Sequence, residues 1–295
     1  MTKPSIGFIG LGLMGSAMVQ RLLDLDYTLN VIANRSRENV DAAIARGATE
    51  HTTSKELAAA SDIVMLCIDT SANVEARMLG AEGVISGLKA GATVIDFGTS
   101  LPASTRMLGE KVAAAGGTML DAPLGRTPTH GRDGLLNIMG SGDKATFDAV
   151  KPVLDDLGEN VFHLGALGTG HTIKLMNNFF GMTVANAMAE AFAMADKAGV
   201  ERKAVYDVMS AGPLHSGMMD FVAKYALEGD PTGLAFAIKN ARKDVGYYGE
   251  MAEAMGVSTF MGKAARDAMG AAMDDGHGDE MVSQMVDWYA KQING

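Results

Sequence analysis

Three features of the sequence predict an α/β domain of the Rossmann type, with a mainly parallel, doubly wound sheet. A long helix links it to an all-α C-terminal domain. Over residues 1–167 short apolar runs alternate with amphipathic stretches, the pattern of parallel strands covered on both faces by helices. A Gly10-x-Gly12-x-x-Gly15 turn follows the first apolar run and opens a helical one. From 168 to 295 only helical patterns remain, and the Gly-rich LGALGTG at 164–170 marks the boundary.

Taken in order, IGFIG (6–10), LNVIAN (29–34), DIVMLCI (62–68), ATVIDFG (92–98), GTML (117–120), LLNIMG (135–140) and NVFHLG (160–165) read as strands. Between them MGSAMVQRLLDL, RENVDAAIARG and ASTRMLGEKVAAAGG carry the helical period. Past the boundary HTIKLMNNFFGMTVANAMAEAFAMADKAG reads as one long helix. RKAVYDVMS, MMDFVAKYAL, FAIKNARKDVGYYGEMAEAMG, TFMGKAARDAMGAAMDDG and MVSQMVDWYAKQ read as further helices.

Composition narrows the function classes. Hydrophobic residues make up 47% of the 295, enough for a sizeable core. Twenty-five basic against 35 acidic residues give a net charge of −10 with no basic run, so neither nucleic acid nor an anionic membrane is an expected partner. The single cysteine, Cys67, excludes an intramolecular disulfide and a Cys-built metal site, and points to a reducing, cytoplasmic setting. The run SIGFIGLGLMGSAMV is read as a nucleotide turn rather than a signal peptide, because its glycines have their own explanation and no convincing cleavage site follows. No apolar stretch approaches a membrane span. The six histidines are scattered, and no metal site is expected.

The glycine turn points to a dinucleotide. Gly10 allows the tight turn, Gly12 the approach of a pyrophosphate, and Gly15 close packing of helix on strand. Amides at the helix start, with the dipole, favour the phosphates. At the end of the second strand Asn34-Arg35-Ser36 stands where an NAD site offers a carboxylate to the ribose. Arg35 can pair with a 2′-phosphate while Asn34 and Ser36 donate hydrogen bonds, so NADP is expected, with NAD the alternative. Arg37 adds weakly to this and Glu38 counts against it.

Further along, Lys174 and Asn178 lie four apart and share a helix face, which Gly181 extends without a side chain. A lysine among Ile173, Leu175, Met176 and Phe179 is half-buried by expectation, which lowers its pKa and fits it for proton transfer. A solvated lysine is the alternative for these residues taken alone.

Four motifs in order resemble the β-hydroxyacid dehydrogenase family, which includes 3-hydroxyisobutyrate dehydrogenases, tartronate semialdehyde reductase and succinic semialdehyde reductases. They are GFIGLGLMGSAM, DAPLGRT with DGLLNIMGSGD, GTGHTIKLMNN, and FAIKNARKDV, where Val245 replaces the family's Leu. The resemblance covers essentially the whole chain. It implies hydride transfer between a nicotinamide and a carbinol carbon, with Lys174 as general acid/base and Asn178 orienting substrate and lysine. Gly10, Leu11, Gly12, Leu13, Met14 and Gly15 would bind cofactor, as would Leu66 and Cys67 (in place of a usual Pro), Thr99 and Lys243. It also implies a homodimer or homotetramer. A non-catalytic dinucleotide-binding relative is the competing class, and retention of Lys174 argues against it and against an imine reductase.

The substrate loop departs from the family. Gly125, Arg126 and Thr127 occupy the positions where relatives carry Ser-Gly-Gly, which resembles the sulfolactaldehyde reductases. The resemblance implies 3-sulfolactaldehyde or a similar compact anion as substrate. Succinic or tartronate semialdehyde, or 3-hydroxyisobutyrate, is the alternative. Arg126 is expected to clamp the anion. If it faces one pocket with Lys174, it should also lower the lysine's pKa until substrate binds.

Overall fold

A computed structural model describes residues 3–34 and 37–294. Tertiary contacts divide the chain into two compact units, the division falling between Lys174 and Leu175.

In the first unit β1 (Ile6–Ile9), β2 (Leu29–Ile32), β3 (Thr49–His51), β4 (Ile63–Leu66), β5 (Thr93–Asp96) and β6 (Thr118–Asp121) form a sheet of order β3-β2-β1-β4-β5-β6. Every pairing in it is parallel. The order reverses between β1 and β4, and at such a switch point the carboxyl ends of the strands leave a crevice. β1, β2, β4 and β5 are buried at every position, as strands covered on both faces must be. The covering helices are α1 (Leu13–Asp24), α2 (Glu38–Ile44), α3 (Ser54–Ala60), α4 (Ser71–Met78), α5 (Val84–Gly87) and α6 (Pro102–Ala114), then α7 (Pro128–Asp133) and α8 (Lys144–Leu157). Two clusters of buried side chains result. One gathers Phe8, Met18, Leu22, Phe147 and Leu154; the other Ile9, Leu57, Leu66, Met78 and Leu108.

Two details differ from the sequence reading. β3 was not expected, because Thr49 and Glu50 are exposed at the sheet edge and leave no apolar alternation to read. LLNIMG and NVFHLG do not extend the main sheet. β7 (Leu124–Gly125), β8 (Leu136–Gly140) and β9 (Gly158–His163) form a separate three-stranded sheet, with β7 antiparallel and β9 parallel to β8. β8 alternates buried and half-buried residues, the signature of a strand covered on one face only.

The long helix α9 (Thr169–Ala198) is 30 residues. α10 (Arg202–Ser210), α11 (Gly217–Glu228), α12 (Ile238–Ala254), α13 (Met261–Asp274) and α14 (Met285–Asn294) follow. In the second unit Met188 and Phe192 of α9 join Val222, Ile238, Met269, Met285 and Trp288 in one core. No helix among the described residues is long and apolar enough to cross a membrane.

The start of α9 is fixed by Asp121, fully buried at the end of β6. Its carboxylate accepts from the backbone N–H of Gly168 and of His171, both at 2.7 Å, and from the Ser141 hydroxyl. Ser141 Oγ in turn accepts from the Gly170 N–H at 2.9 Å. These are amides a helix start leaves without intrahelical partners, satisfied here by a tertiary carboxylate that also complements the dipole. Asp121→Ala should therefore cost about 2–3 kcal/mol, since buried charge-assisted donors lose their acceptor. Urea unfolding measures it; an unchanged midpoint would show that the helix start holds without this carboxylate.

Candidate active site

The Gly10–Gly15 turn has the geometry that a dinucleotide site needs. Gly10 has φ +101°, and a Cβ there would lie 2.3 Å from the Cys67 carbonyl oxygen. A Cβ on Gly15 would lie 1.9 Å from the Gly10 carbonyl oxygen, so this glycine lets α1 start directly against the turn. Gly12 differs: nothing lies within 4 Å of where its Cβ would be. It is the N-cap residue of α1, with no side-chain cap and no acidic residue in the first turn. The amides at this helix start are thus left for an incoming anion. Gly10, Leu11, Gly12, Asn34 and Cys67 line a cleft of about 570 Å³. Leu13, in the first turn of α1, is 78% exposed, and Met14 beside it is half-buried. Open room at Gly12 together with uncapped amides fits the pyrophosphate of a dinucleotide.

At the β2 end of this cleft the expected residues separate. Asn34 follows β2 and is exposed. Arg35 and Ser36, expected beside it, lie outside the described residues. Arg37, read as weak support for a 2′-phosphate, is held elsewhere. Its guanidinium pairs with Asp41 at 2.8 Å and Glu50 at 3.0 Å, and it keeps the Glu50 carboxyl below the usual carboxylate range. The residue missed from sequence is Arg77 of α4. It lines the same cleft, and its Nη2 donates to Asn34 Oδ1 at 3.0 Å. Nothing near the end of β2 in sequence pointed to it, because it arrives from a helix two strands on.

Leu66 ends β4 and Cys67 follows it. The Leu66 side chain is fully buried in the core, and its carbonyl accepts from Phe97 N, so its side chain is a packing residue. Cys67 lines the cleft. Burial first, then the charge of Asp96, pushes its thiol up to about 12, which keeps it protonated at neutral pH. Thr99 is half-buried on a turn shaped by the buried Asp96, whose carboxylate accepts from Gly98 N and Ser100 Oγ, both at 2.8 Å. His171 is fully buried, with Nδ1 2.8 Å from Thr105 Oγ1 and Nε2 3.8 Å from Asp96 Oδ2. It is part of the packing behind α9.

In the substrate loop the structure adds partners that the sequence did not show. Gly125 pairs with Asn137 across β7 and β8. Arg126 then has φ +76°, a left-handed conformation that costs a non-glycine residue energy. Its Nη1 donates to the Leu135 carbonyl at 2.7 Å and to the Glu159 carboxylate of β9. Arg126 thus already has an anionic partner, Glu159, before any substrate binds. The partner lies far along the chain and gave no local signal. Thr127 precedes α7, with Oγ1 2.7 Å from His130 Nδ1.

On α9, Lys174 is half-buried, and Asn178 follows one turn later. Asn178 is 8% exposed, and its Nδ2 donates to Asp244 Oδ2 of α12 at 2.6 Å. Asp244 is itself buried, and its other oxygen lies 2.8 Å from Lys243 Nζ. Lys243 also sits 5.2 Å from the Tyr247 ring centroid, within cation–π range. One buried carboxylate thus holds both Asn178 and Lys243, a role not read from the sequence. A Cβ at Gly181 would meet Met218 Cε at 3.1 Å, so that space is filled by protein, and Lys239 pairs with Asp279.

Comparison with known proteins agrees with this architecture. Residues 5–165 match the NAD binding domain of 6-phosphogluconate dehydrogenase, and residues 168–289 the NAD-binding domain of NADP-dependent 3-hydroxyisobutyrate dehydrogenase. A 2-(hydroxymethyl)glutarate dehydrogenase of Eubacterium barkeri is 32% identical over 82% of this chain and 80% of its own. The chloroplastic glyoxylate/succinic semialdehyde reductase 2 of Arabidopsis thaliana is 28% identical over 96% of this chain and 78% of its own. A solved 3-hydroxyisobutyrate dehydrogenase from Salmonella typhimurium superposes with a TM-score of 0.83 at 25% identity, covering 97% of this chain and 99% of that one.

The glycine geometry gives a paired test. Gly12→Ala has room in the free protein and should leave thermal stability unchanged while weakening NADPH binding about tenfold or more, because the new methyl stands where the pyrophosphate must approach. Gly15→Ala meets backbone and should lower stability itself. Melting curves and calorimetric titration separate the two; equal melting losses would contradict the assignment.

Proposed function

The chain belongs to the β-hydroxyacid dehydrogenase family, an NAD(P)-dependent oxidoreductase acting on a hydroxyl group, and on that premise we propose that it interconverts a short anionic aldehyde and its hydroxyacid, with NADP preferred over NAD. The leading substrate is 3-sulfolactaldehyde or a similarly compact anion; succinic semialdehyde, tartronate semialdehyde and 3-hydroxyisobutyrate are the alternatives. The observation that carries this reading is that Asn178, one helical turn after the half-buried Lys174, is fixed by the buried Asp244 carboxylate. A chain that only bound dinucleotide would have no use for that arrangement.

When bound, the nicotinamide cofactor supplies or accepts the hydride. Lys174 Nζ gives its proton to the carbonyl oxygen in reduction and takes it from the hydroxyl in oxidation. Asn178 has its Nδ2 committed to Asp244, so its amide orientation is set before substrate arrives, which lowers the cost of ordering it. Lys243, paired with the same carboxylate, contributes positive potential from α12. Gly125, Arg126 and Thr127 receive the anionic head. For Arg126 this is an exchange reaction, the substrate anion replacing Glu159 on the guanidinium. The exchange favours an anion that accepts several donors at once, as sulfonate and carboxylate do.

We assign the chain to the cytoplasm on its single cysteine. Exposed apolar side chains of the second unit, among them Phe180, Val208 and Phe260, support a homodimer or homotetramer.

Steady-state kinetics on sulfolactaldehyde, succinic semialdehyde and methylmalonate semialdehyde, each with NADH and NADPH, test the reading. Lys174→Ala should lower kcat by about 10²–10⁴ while leaving cofactor affinity unchanged, and retention of near-normal turnover would remove Lys174 from the proton step. Arg126→Ala should raise KM for anionic aldehydes far more than for uncharged ones, and Glu159→Gln should lower it by freeing the guanidinium. A uniform rise across both substrate classes in Arg126→Ala would rule out the clamp.

A further inference from the structure

Arg77 has no part in the reading above, yet its surroundings suit a specific ligand group. It sits in the last turn of α4, half-buried, and lines the same cleft as Gly10, Gly12 and Asn34. Its Nη2 donates to Asn34 Oδ1 at 3.0 Å. Asn34 stands just past the end of β2, where a Rossmann site receives the adenosine ribose. Among the described residues no carboxylate pairs with Arg77, whereas Arg37, nearer in sequence to that strand end, is neutralised by Asp41 and Glu50. Arg77 also lines an adjoining recess of about 220 Å³ with Thr52 and Thr53, so its fork has space on that side too. A guanidinium anchored through one N–H keeps further donors for a dianionic oxygen cluster, and the planar fork suits a phosphate.

We propose that Arg77 is the residue that selects for NADP, gripping the 2′-phosphate of the adenosine ribose from α4 with Asn34 as its anchor. This rests on dinucleotide binding in the cleft and deepens the NADP preference proposed above. The acidic residues lining the same spaces, Asp69 in the cleft and Glu82 in the recess, oppose a 2′-phosphate and suit bare ribose hydroxyls. Asp69 accepts from Asn73 Nδ2 at 2.7 Å, and Arg77 is the cation among the described residues that lines both spaces. Selectivity then comes from a helix outside the β2 turn where it is ordinarily sought.

Calorimetric titration of the wild type, Arg77→Ala, Arg77→Lys and Arg35→Ala with NADPH, NADH, 2′,5′-ADP and 5′-AMP tests this without turnover. Arg77→Ala should weaken NADPH and 2′,5′-ADP about tenfold or more, the loss of one charge-assisted phosphate contact, and leave NADH and 5′-AMP within about twofold. Arg77→Lys should keep part of the selectivity, as a point charge without the fork. An equal loss on phosphorylated and unphosphorylated ligands would mean adenine stacking or a disturbed cleft, and would overturn the proposal. So would an unchanged ratio in Arg77→Ala, including the case where Arg35→Ala alone removes selectivity. A wild type that favours NADH would refute the NADP preference, while the change in ratio would still decide the role of Arg77.

Discussion

Asp121, buried at the end of β6, accepts from the amides of Gly168 and His171 and so ties the first turn of α9 to the sheet. The approach is close: a Cβ on Gly170 would lie 2.1 Å from the Met139 carbonyl oxygen, so only glycine lets the helix start against β8. Behind it His171 packs between Thr105, Asp96 and Asp121. Lys174 is one turn further along the same helix. The position of the proposed proton donor is therefore inherited from a carboxylate that never meets solvent. Buried polar groups of this kind are costly unless every partner is present, and Asp121 has its partners.

The same device recurs in the second unit. Asp244 is buried and shared between Asn178 and Lys243. Its acceptors are spent on orienting two side chains rather than on substrate. Elsewhere the cations of this acidic chain are largely matched: Arg37 by Asp41 and Glu50, Arg126 by Glu159, Lys239 by Asp279. Against that background a guanidinium that, among the described residues, has a neutral amide as its partner, as Arg77 has Asn34, keeps its charge for a ligand. Exposed ion pairs contribute little to stability, so their main effect here is on which charges remain available.

Much of the fold was legible in the sequence because it rests on period and on glycine. α9, 30 residues in the structure, announced itself through the long helical pattern that begins at His171, and the buried strands through unbroken apolar runs. β3 and the two-residue β7 carried no such signal, one being exposed at an edge and the other too short to show a period. The substrate loop shows the limit most clearly. Gly125, Arg126 and Thr127 could be picked out, but not that Arg126 adopts a positive φ and reaches Glu159 on another strand.

The sequence by itself determined the class of the protein. A Gly-x-Gly-x-x-Gly turn and alternating elements are local patterns that backbone geometry is enough to interpret, while the four-motif resemblance is what implies a role for Lys174 and Asn178. Only the tertiary structure decided which charges are free and which are spoken for. Asp121, Asp244, Glu159 and Arg77 act on residues tens of positions away, and burial and hydrogen bonding set their roles. Those depend on which elements pack together, and spacing along the chain carries no record of that.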